Sequence, residues 1–319
     1  MTTTSDVSNI GRQIVSEVER AVVGKRALLE MVMASVLAGG HVLLEDFPGL
    51  GKTLIARSFS TVLGLEFKRI QFTPDLLPAD ITGGYIFNRS ENRFDLRQGP
   101  IFANIILADE INRASPKTQS ALLEAMQERQ VTLEGETLSL SEPFLVLATQ
   151  NPIEYEGTFP LPEAQLDRFM LKLSVGYPSL EEETEILRRR RERMQDDVPL
   201  NMVTNAHQLM ELRQAVESVY VEADLEIYIA RIVHETRTDR RVAVGGSPRA
   251  SLAFLKMARA RAALEGRDYI LPDDIKHYAM PVLSHRLILQ PEYWMARRVA
   301  EEVINDVLEK VPVPVARRA

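Results

Sequence analysis

Two adjacent carboxylates, a lysine, a threonine and a glycine-rich loop are the groups in this 319-residue chain best suited to act together. The loop reads Phe47-Pro48-Gly49-Leu50-Gly51-Lys52-Thr53. It follows a short apolar run, His41-Val42-Leu43-Leu44-Glu45, and precedes a stretch with helical spacing, Thr53 to Leu63. A strand, a glycine loop and a helix in that order make a phosphate cradle. Glycines let backbone N–H groups converge on phosphate oxygens, and the helix start adds its positive end. Lys52 would reach the β- and γ-phosphates and Thr53 would ligate Mg²⁺. Pro48, Gly49, Leu50, Gly51 and Leu54 would complete the nucleotide-binding segment. The full pattern wants a glycine at position 46, where this chain has Asp46. Taken alone, the loop also reads as a glycine turn with a solvated lysine.

The second group lies 57 residues after Lys52, where Ile105-Ile106-Leu107-Ala108 runs into Asp109-Glu110. A buried strand that delivers two carboxylates to its carboxyl end gives them separate roles. Asp109 would hold Mg²⁺, directly or through water, and Glu110 would orient and polarise an attacking water. The third group is Thr149-Gln150-Asn151, again after an apolar run, where open α/β sheets bind their ligands. Asn151 could hold the attacking water or sense the γ-phosphate, or simply end the strand in an Asn-Pro turn. Arginines complete the set, because charge spread over a transferring phosphoryl group needs neutralising. Arg168 follows Glu163-Ala-Gln-Leu-Asp167. Arg249 follows Ser247-Pro248, in the first turn of a helix, where the dipole favours an anion partner for it. From spacing alone, a surface or Asp-paired arginine is the better reading at both positions.

The elements that must carry these groups alternate. Ile10–Val22 and Ala27–Leu37 have helical spacing. Apolar runs at 42–45, 67–72, 103–108, 144–148 and 170–175 read as strands, and Ser115-Pro116 caps a helix reaching about Arg129. Strands alternating with helices imply a parallel sheet covered on both faces. Two segments interrupt the rhythm. Residues 81–100 are rich in Gly and Asn, and Gln130 to Leu140 alternates about a Glu134-Gly135 turn, as a β-hairpin does. After Tyr177-Pro178 only helical periodicity remains, over 179–195, 206–216, 223–236, 248–264, 272–285 and 293–308. The chain therefore divides near residue 177 into an α/β unit, 1–176, and an all-helical unit, 177–319.

Composition narrows the function classes. An apolar fraction of 45% with 26% charged residues excludes wholesale disorder. The absence of Cys excludes disulfides, thiolate metal sites and cysteine nucleophiles. A net charge of −7 argues against a nucleic-acid or anionic-membrane binder. No signal peptide is visible, and no apolar run approaches the roughly 20 residues of a membrane helix, so a cytoplasmic location is expected. The five histidines show no metal-ligand spacing. Arg188–Arg191 closes a helix that opens on acids, which reads as a solvated, dipole-matched face. Trp294 is expected in the helical core or as a contact anchor.

Seven blocks in this order resemble the MoxR family of AAA+ ATPases over nearly the whole chain. They are Val23-Gly24-Lys25, Leu43 to Thr53, Gln98-Gly99-Pro100-Ile101, Ala108 to Ala114, Ala148 to Pro152, Leu161 to Phe169 and Ser247-Pro248-Arg249. The resemblance implies an AAA+ α/β domain of three layers followed by a small helical lid, binding ATP and Mg²⁺. It implies that Val23 and Gly24 flank the adenine. Lys52 and Thr53 belong to Walker A, Asp109 and Glu110 to Walker B. Asn151 is sensor 1 and Arg249 sensor 2. Arg168 is the finger that reaches a neighbouring subunit's nucleotide, with Arg113 as its rival. Residues 81–100 become a helix-2 insert and 130–140 a presensor hairpin. Such proteins look like hexameric, chaperone-like machines that remodel or mature protein clients, often beside a von Willebrand A-type partner. A nucleic-acid motor is the alternative. It would need basic pore elements, whereas the insert sets Arg89, Arg93 and Arg97 against Glu91 and Asp95, and the hairpin holds Glu134 and Glu136 with no base inside it. A nucleotide-gated scaffold that hydrolyses little is disfavoured by an intact Glu110.

Overall fold

The computed structural model describes residues 2–151, 158–294, 296 and 298–314. Pro152, at the end of the block beginning at Ala148, lies outside them. The first part runs α1 (Thr4–Glu19), α2 (Arg26–Leu37), β1 (Val42–Glu45), α3 (Lys52–Leu63), β2 (Phe67–Gln71), α4 (Pro78–Thr82), β3 (Gly83–Asn88), β4 (Arg93–Gln98), β5 (Ile105–Asp109) and α5 (Pro116–Glu128). It continues through β6 (Gln130–Leu133), β7 (Glu136–Ser139), β8 (Leu145–Gln150), α6 (Glu163–Leu166) and β9 (Leu171–Leu173). The rest is α7 (Leu180–Arg193), α8 (Ala206–Glu217), α9 (Ala223–Thr236), β10 (Val242–Val244), α10 (Pro248–Leu264), α11 (Pro272–His277), α12 (Ala279–Leu283), β11 (Ile288–Leu289) and α13 (Val299–Lys310).

The expected sheet is present: five parallel strands in the order β2-β5-β8-β1-β9. Its interior strands are apolar on both faces, and their side chains alternate between two cores. Ile105, Leu107, Leu145 and Leu147 join Val42 and Leu44 on the face covered by α1, α2 and α3. Ile106, Ala108, Val146 and Ala148 join Leu43 on the face covered by α4 and α5. A period of two demands this of a strand buried on both sides. β2 closes one edge and exposes Lys68 and Arg69, as an edge strand must to resist pairing with another chain. Caps set the helix starts. Thr3 and Asp6 form a capping box on α1, Ser179 and Glu182 one on α7, and Ser115 and Ser247 cap helices that begin with proline.

Both interruptions are ordered. Residues 83–98 form the antiparallel β3–β4 hairpin, and 130–139 the expected β6–β7 hairpin, turning through left-handed Glu134 and Gly135. Tyr85 of the first donates to Glu136 of the second, so the two hairpins touch. The lid is helical with one addition, the short antiparallel pair β10–β11. The helical stretch expected over 272–285 breaks at Tyr278 into α11 and α12. Trp294 is 69% exposed, which corrects the expectation of a core position. α1 packs on α8 and α10, so one apolar cluster runs from the helices over the sheet into the lid. No helix among the described residues is long and apolar enough to cross a membrane.

Candidate nucleotide site

All the carboxyl ends of the sheet point one way, and the loop after β1 lies at that edge. Gly49 and Gly51 adopt φ of 84° and 81°, in the left-handed region that an L side chain resists. Neither has a neighbour where a Cβ would sit, so conformation rather than space demands glycine there. Gly51 ends the loop as the N-cap of α3. Lys52 is buried and its ammonium donates to the carbonyl of Asp46 at 2.6 Å. Burial pushes the Lys52 pKa down, while Asp109, Asp46 and Glu110 pull it back, so these charges share one neighbourhood. Thr53 is half-buried and Leu54 largely exposed.

Asp46, which departs from the usual glycine, is a buried acceptor. Its carboxylate takes Phe47 N at 2.9 Å, Ser174 Oγ at 2.8 Å and Gly176 N at 2.6 Å. Burial raises its pKa, but these donors together outweigh burial and hold it below the ordinary value.

The acidic pair sits on β5, one strand removed from β1. Asp109 accepts from Thr149 Oγ1 at 2.6 Å and from Arg69 Nε and Nη2 at 3.0 and 2.7 Å. Glu110 has φ 55° and ψ 50°, left-handed for a residue with a Cβ, and its N–H donates to Thr149 Oγ1 at 2.8 Å. Its carboxylate accepts from Gln71 at 3.0 Å and from Arg113 at 3.0 Å. A backbone strained in this way persists only where its surroundings over-determine it, and functional sites are where such residues cluster. Asn151 is buried at the end of β8. Val23 and Gly24 form the turn between α1 and α2. A Cβ on Gly24 would meet the Glu182 side chain, and neighbouring Lys25 donates to Tyr177 O at 3.0 Å. Phe47 stacks obliquely on Tyr177 with centroids 5.8 Å apart. The 23–25 turn and the phosphate loop thus both reach the 174–182 segment.

Arg168 and Arg249 are not brought to this edge. Arg168 lies just before β9, where the strands begin. There it donates to Leu123 O of α5 at 2.5 Å, while its buried Nε has no partner among the described residues. Arg249 contacts Gln127 at 3.1 Å and Asp167 at 3.9 Å. Arg113, the rival finger, contacts its own chain's Glu110 instead.

Residues 41–171 match the model of the ATPase family associated with various cellular activities (AAA), and 234–307 that of the AAA lid domain. The chain is 46% identical to the Chaperone MoxR1 of Mycobacterium tuberculosis over 93% of its length and 81% of that protein's. The chain belongs to the MoxR family of AAA+ ATPases. It is also 49% identical to the uncharacterized protein YeaC of Bacillus subtilis, over 96% of this chain and 95% of that one. A crystal structure of a putative ATPase from Cytophaga hutchinsonii superposes with a TM-score of 0.91 at 40% identity, covering 98% and 97% of the two chains. The AAA match holds the loop, the acidic pair, Asn151 and Arg168, and the lid match holds Arg249. Within this MoxR-family chain, the residues that sequence reasoning missed are Arg69 and Gln71. They sit two apart on one face of an edge strand, a spacing that by itself reads as a solvated edge and does not point to the carboxylates they touch.

Proposed function

We propose that this MoxR-family chain is a Mg²⁺-dependent ATP hydrolase that works as a ring and remodels or matures protein clients.

 
The α/β unit 1–176 would carry the nucleotide and 177–319 the lid. One observation carries the reading: β1 and β5 flank β8 in a parallel sheet, so the loop that holds Lys52 and the pair Asp109 and Glu110 follow strands that end at the same edge. The donor set fits a magnesium-bound triphosphate. It offers a left-handed glycine loop on a helix start, a buried lysine, a threonine at the first helical turn and two carboxylates held by neighbouring side chains. Bound there, ATP supplies the γ-phosphoryl group that water attacks. Lys52 and the N–H groups of Gly49, Leu50 and Gly51 bind phosphate, and Pro48, Leu54, Val23 and Gly24 border the nucleotide. Thr53 and Asp109 would hold the metal ion. Glu110 orients the water and takes its proton, with Asn151 beside it. Arg168 serves the nucleotide of a neighbouring subunit in a hexamer, and Arg249 acts as sensor 2 from the lid.

Charge on the two hairpins favours protein clients over nucleic acid. Arg93 is paired with Glu91 and Asp95 at 2.7 Å each, while Phe87 and Phe94 pack together at 5.2 Å and stay exposed. A surface that tracks a phosphate backbone needs a continuous row of unpaired bases instead, whereas here exposed Arg89 and Arg97 flank the paired Arg93.

The test is calorimetry with ATP alongside a phosphate-release assay. Lys52→Ala is expected to lose ATP binding. Glu110→Gln should bind ATP like the wild type and hydrolyse it at least about 100-fold more slowly, the order that general-base loss costs. Wild-type hydrolysis by Glu110→Gln would remove Glu110 from its role.

A further inference from the structure

We propose that Asp46 is a positioning residue that couples the phosphate loop to the joint between the sheet and the lid. The proposal deepens the nucleotide reading above and rests on it. Asp46 meets four parts of the molecule at once. Its N–H donates to Gln150 O at 3.2 Å, at the end of β8 beside Asn151. Its carbonyl accepts the Lys52 ammonium at 2.6 Å. Its carboxylate holds Phe47 N of the loop, and it also holds Ser174 Oγ and Gly176 N of the segment joining β9 to α7. A glycine at position 46 would keep the two backbone contacts and lose every carboxylate contact.

The joint depends on such contacts because little else fixes it. None of the residues of α7 is buried. Its ties to the body are polar: Arg189 to Glu19 O at 2.9 Å, and the Lys25–Glu182 pair at 3.9 Å. Gly176 itself is left-handed at φ 67°, a bend in the chain just before α7. Hydrogen bonds to an ionised acceptor are about twice as strong as neutral ones, so the Asp46 carboxylate is the strongest link from the loop to this bend. Drawing Lys52 off the Asp46 carbonyl frees the backbone of the residue whose side chain grips the joint. The loop and the lid direction are then coupled through one residue.

Trp294, the chain's sole tryptophan, reports on the lid. It lines a cleft whose other wall includes Glu45 of β1, Gln150 of β8 and Lys172 of β9. The experiment compares wild type, Asp46→Asn and Ser174→Ala in three measurements: ATP affinity, the change in Trp294 fluorescence on adding ATP, and deuterium uptake of residues 174–182 without nucleotide. Melting temperatures confirm that each variant is folded. Asp46→Asn is expected to keep ATP affinity within about threefold, to lose most of the fluorescence change and to take up deuterium at least about tenfold faster in the joint. Ser174→Ala removes one of the two far donors, leaving Gly176 N, and should move both readouts in the same direction by a smaller amount. The double variant should add little to Asp46→Asn, because both changes break one link. Full fluorescence change and unchanged uptake in folded Asp46→Asn, or additive effects in the double variant, would overturn the coupling alone. A wild type that does not bind ATP would overturn the nucleotide reading and this proposal together.

Discussion

One hydroxyl at the end of β8 serves both acidic residues at the end of β5. Thr149 Oγ1 donates to the Asp109 carboxylate and accepts the N–H of Glu110, the residue held in a left-handed conformation. Thr149→Val keeps the shape and removes the hydroxyl. It leaves a half-buried N–H without its acceptor at a position already strained, a cost of about 1–3 kcal/mol. The expected outcome is a lower melting temperature and a fall in ATP hydrolysis with ATP affinity nearly unchanged. Calorimetric melts and phosphate release check it, and an unaltered melt would show that Glu110 keeps its conformation without Thr149. At this scale the sequence exposed whatever lies within one continuous stretch. Lys52 with its loop and Asp109 with Glu110 are legible because their neighbours in the chain are also their neighbours in space. Arg69 and Gln71 were not legible, since 40 and 39 residues separate them from the carboxylates they touch. Asp46 looked like a defect in the loop because its partners, Ser174 and Gly176, lie 128 and 130 residues away.

The elements were legible in proportion to their length. The strands at 105–109 and 145–150 and the helices at 223–236 and 248–264 carry enough turns or alternations to declare their period. β10 and β11, with three and two residues, are too short to alternate visibly, and the break at Tyr278 interrupts a pattern that remains apolar on one side. The β3–β4 hairpin was recognised only as an interruption, because glycines rather than side-chain alternation build its base. Gly99 approaches the backbone so closely that a Cβ would lie 2.2 Å from Ile81 O and 2.5 Å from Gly83 N. Gly84, in the same hairpin, has nothing within 4 Å of that position. Gly99→Ala must therefore push backbone apart, costing about 1–3 kcal/mol as overpacking does, while Gly84→Ala should stay within about 0.5 kcal/mol. Chemical denaturation of the two variants checks the contrast. Equal stabilities would mean that the hairpin base yields without cost.

The whole molecule separates its candidate phosphate groups onto opposite edges of one sheet. Lys52, Asp109 and Glu110 lie where the parallel strands end, and Arg168 where β9 begins. Around Arg168, a single cleft is lined by Arg129, Arg249, Lys256 and Arg286, with Asp167 as its one acid. Asp167 is engaged by Arg286 at 2.8 Å and approached by Arg249 at 3.9 Å, and Arg129 pairs with Glu142 at 3.2 Å, so the charge left over at Arg168 and Lys256 suits an anion from outside. Two different surfaces that complement each other make a head-to-tail contact, which closes into a ring when the rotation allows. If the neighbour's nucleotide is that anion, Lys52→Ala and Arg168→Ala subunits are defective on opposite sides, and each is inactive alone. Mixed before assembly at equal amounts, they should place an intact loop against an intact arginine at about a quarter of the interfaces, and ATP hydrolysis should recover to about that fraction of wild type. An arginine supplied this way is worth roughly 10³–10⁵ in rate, so recovery would stand far above either parent. The measurement is phosphate release across a series of mixing ratios, with a maximum expected near equal amounts. A flat series at the parental level would leave Arg168 as a structural tie between β9 and the Leu123 carbonyl, and would reassign the trans role to another cation.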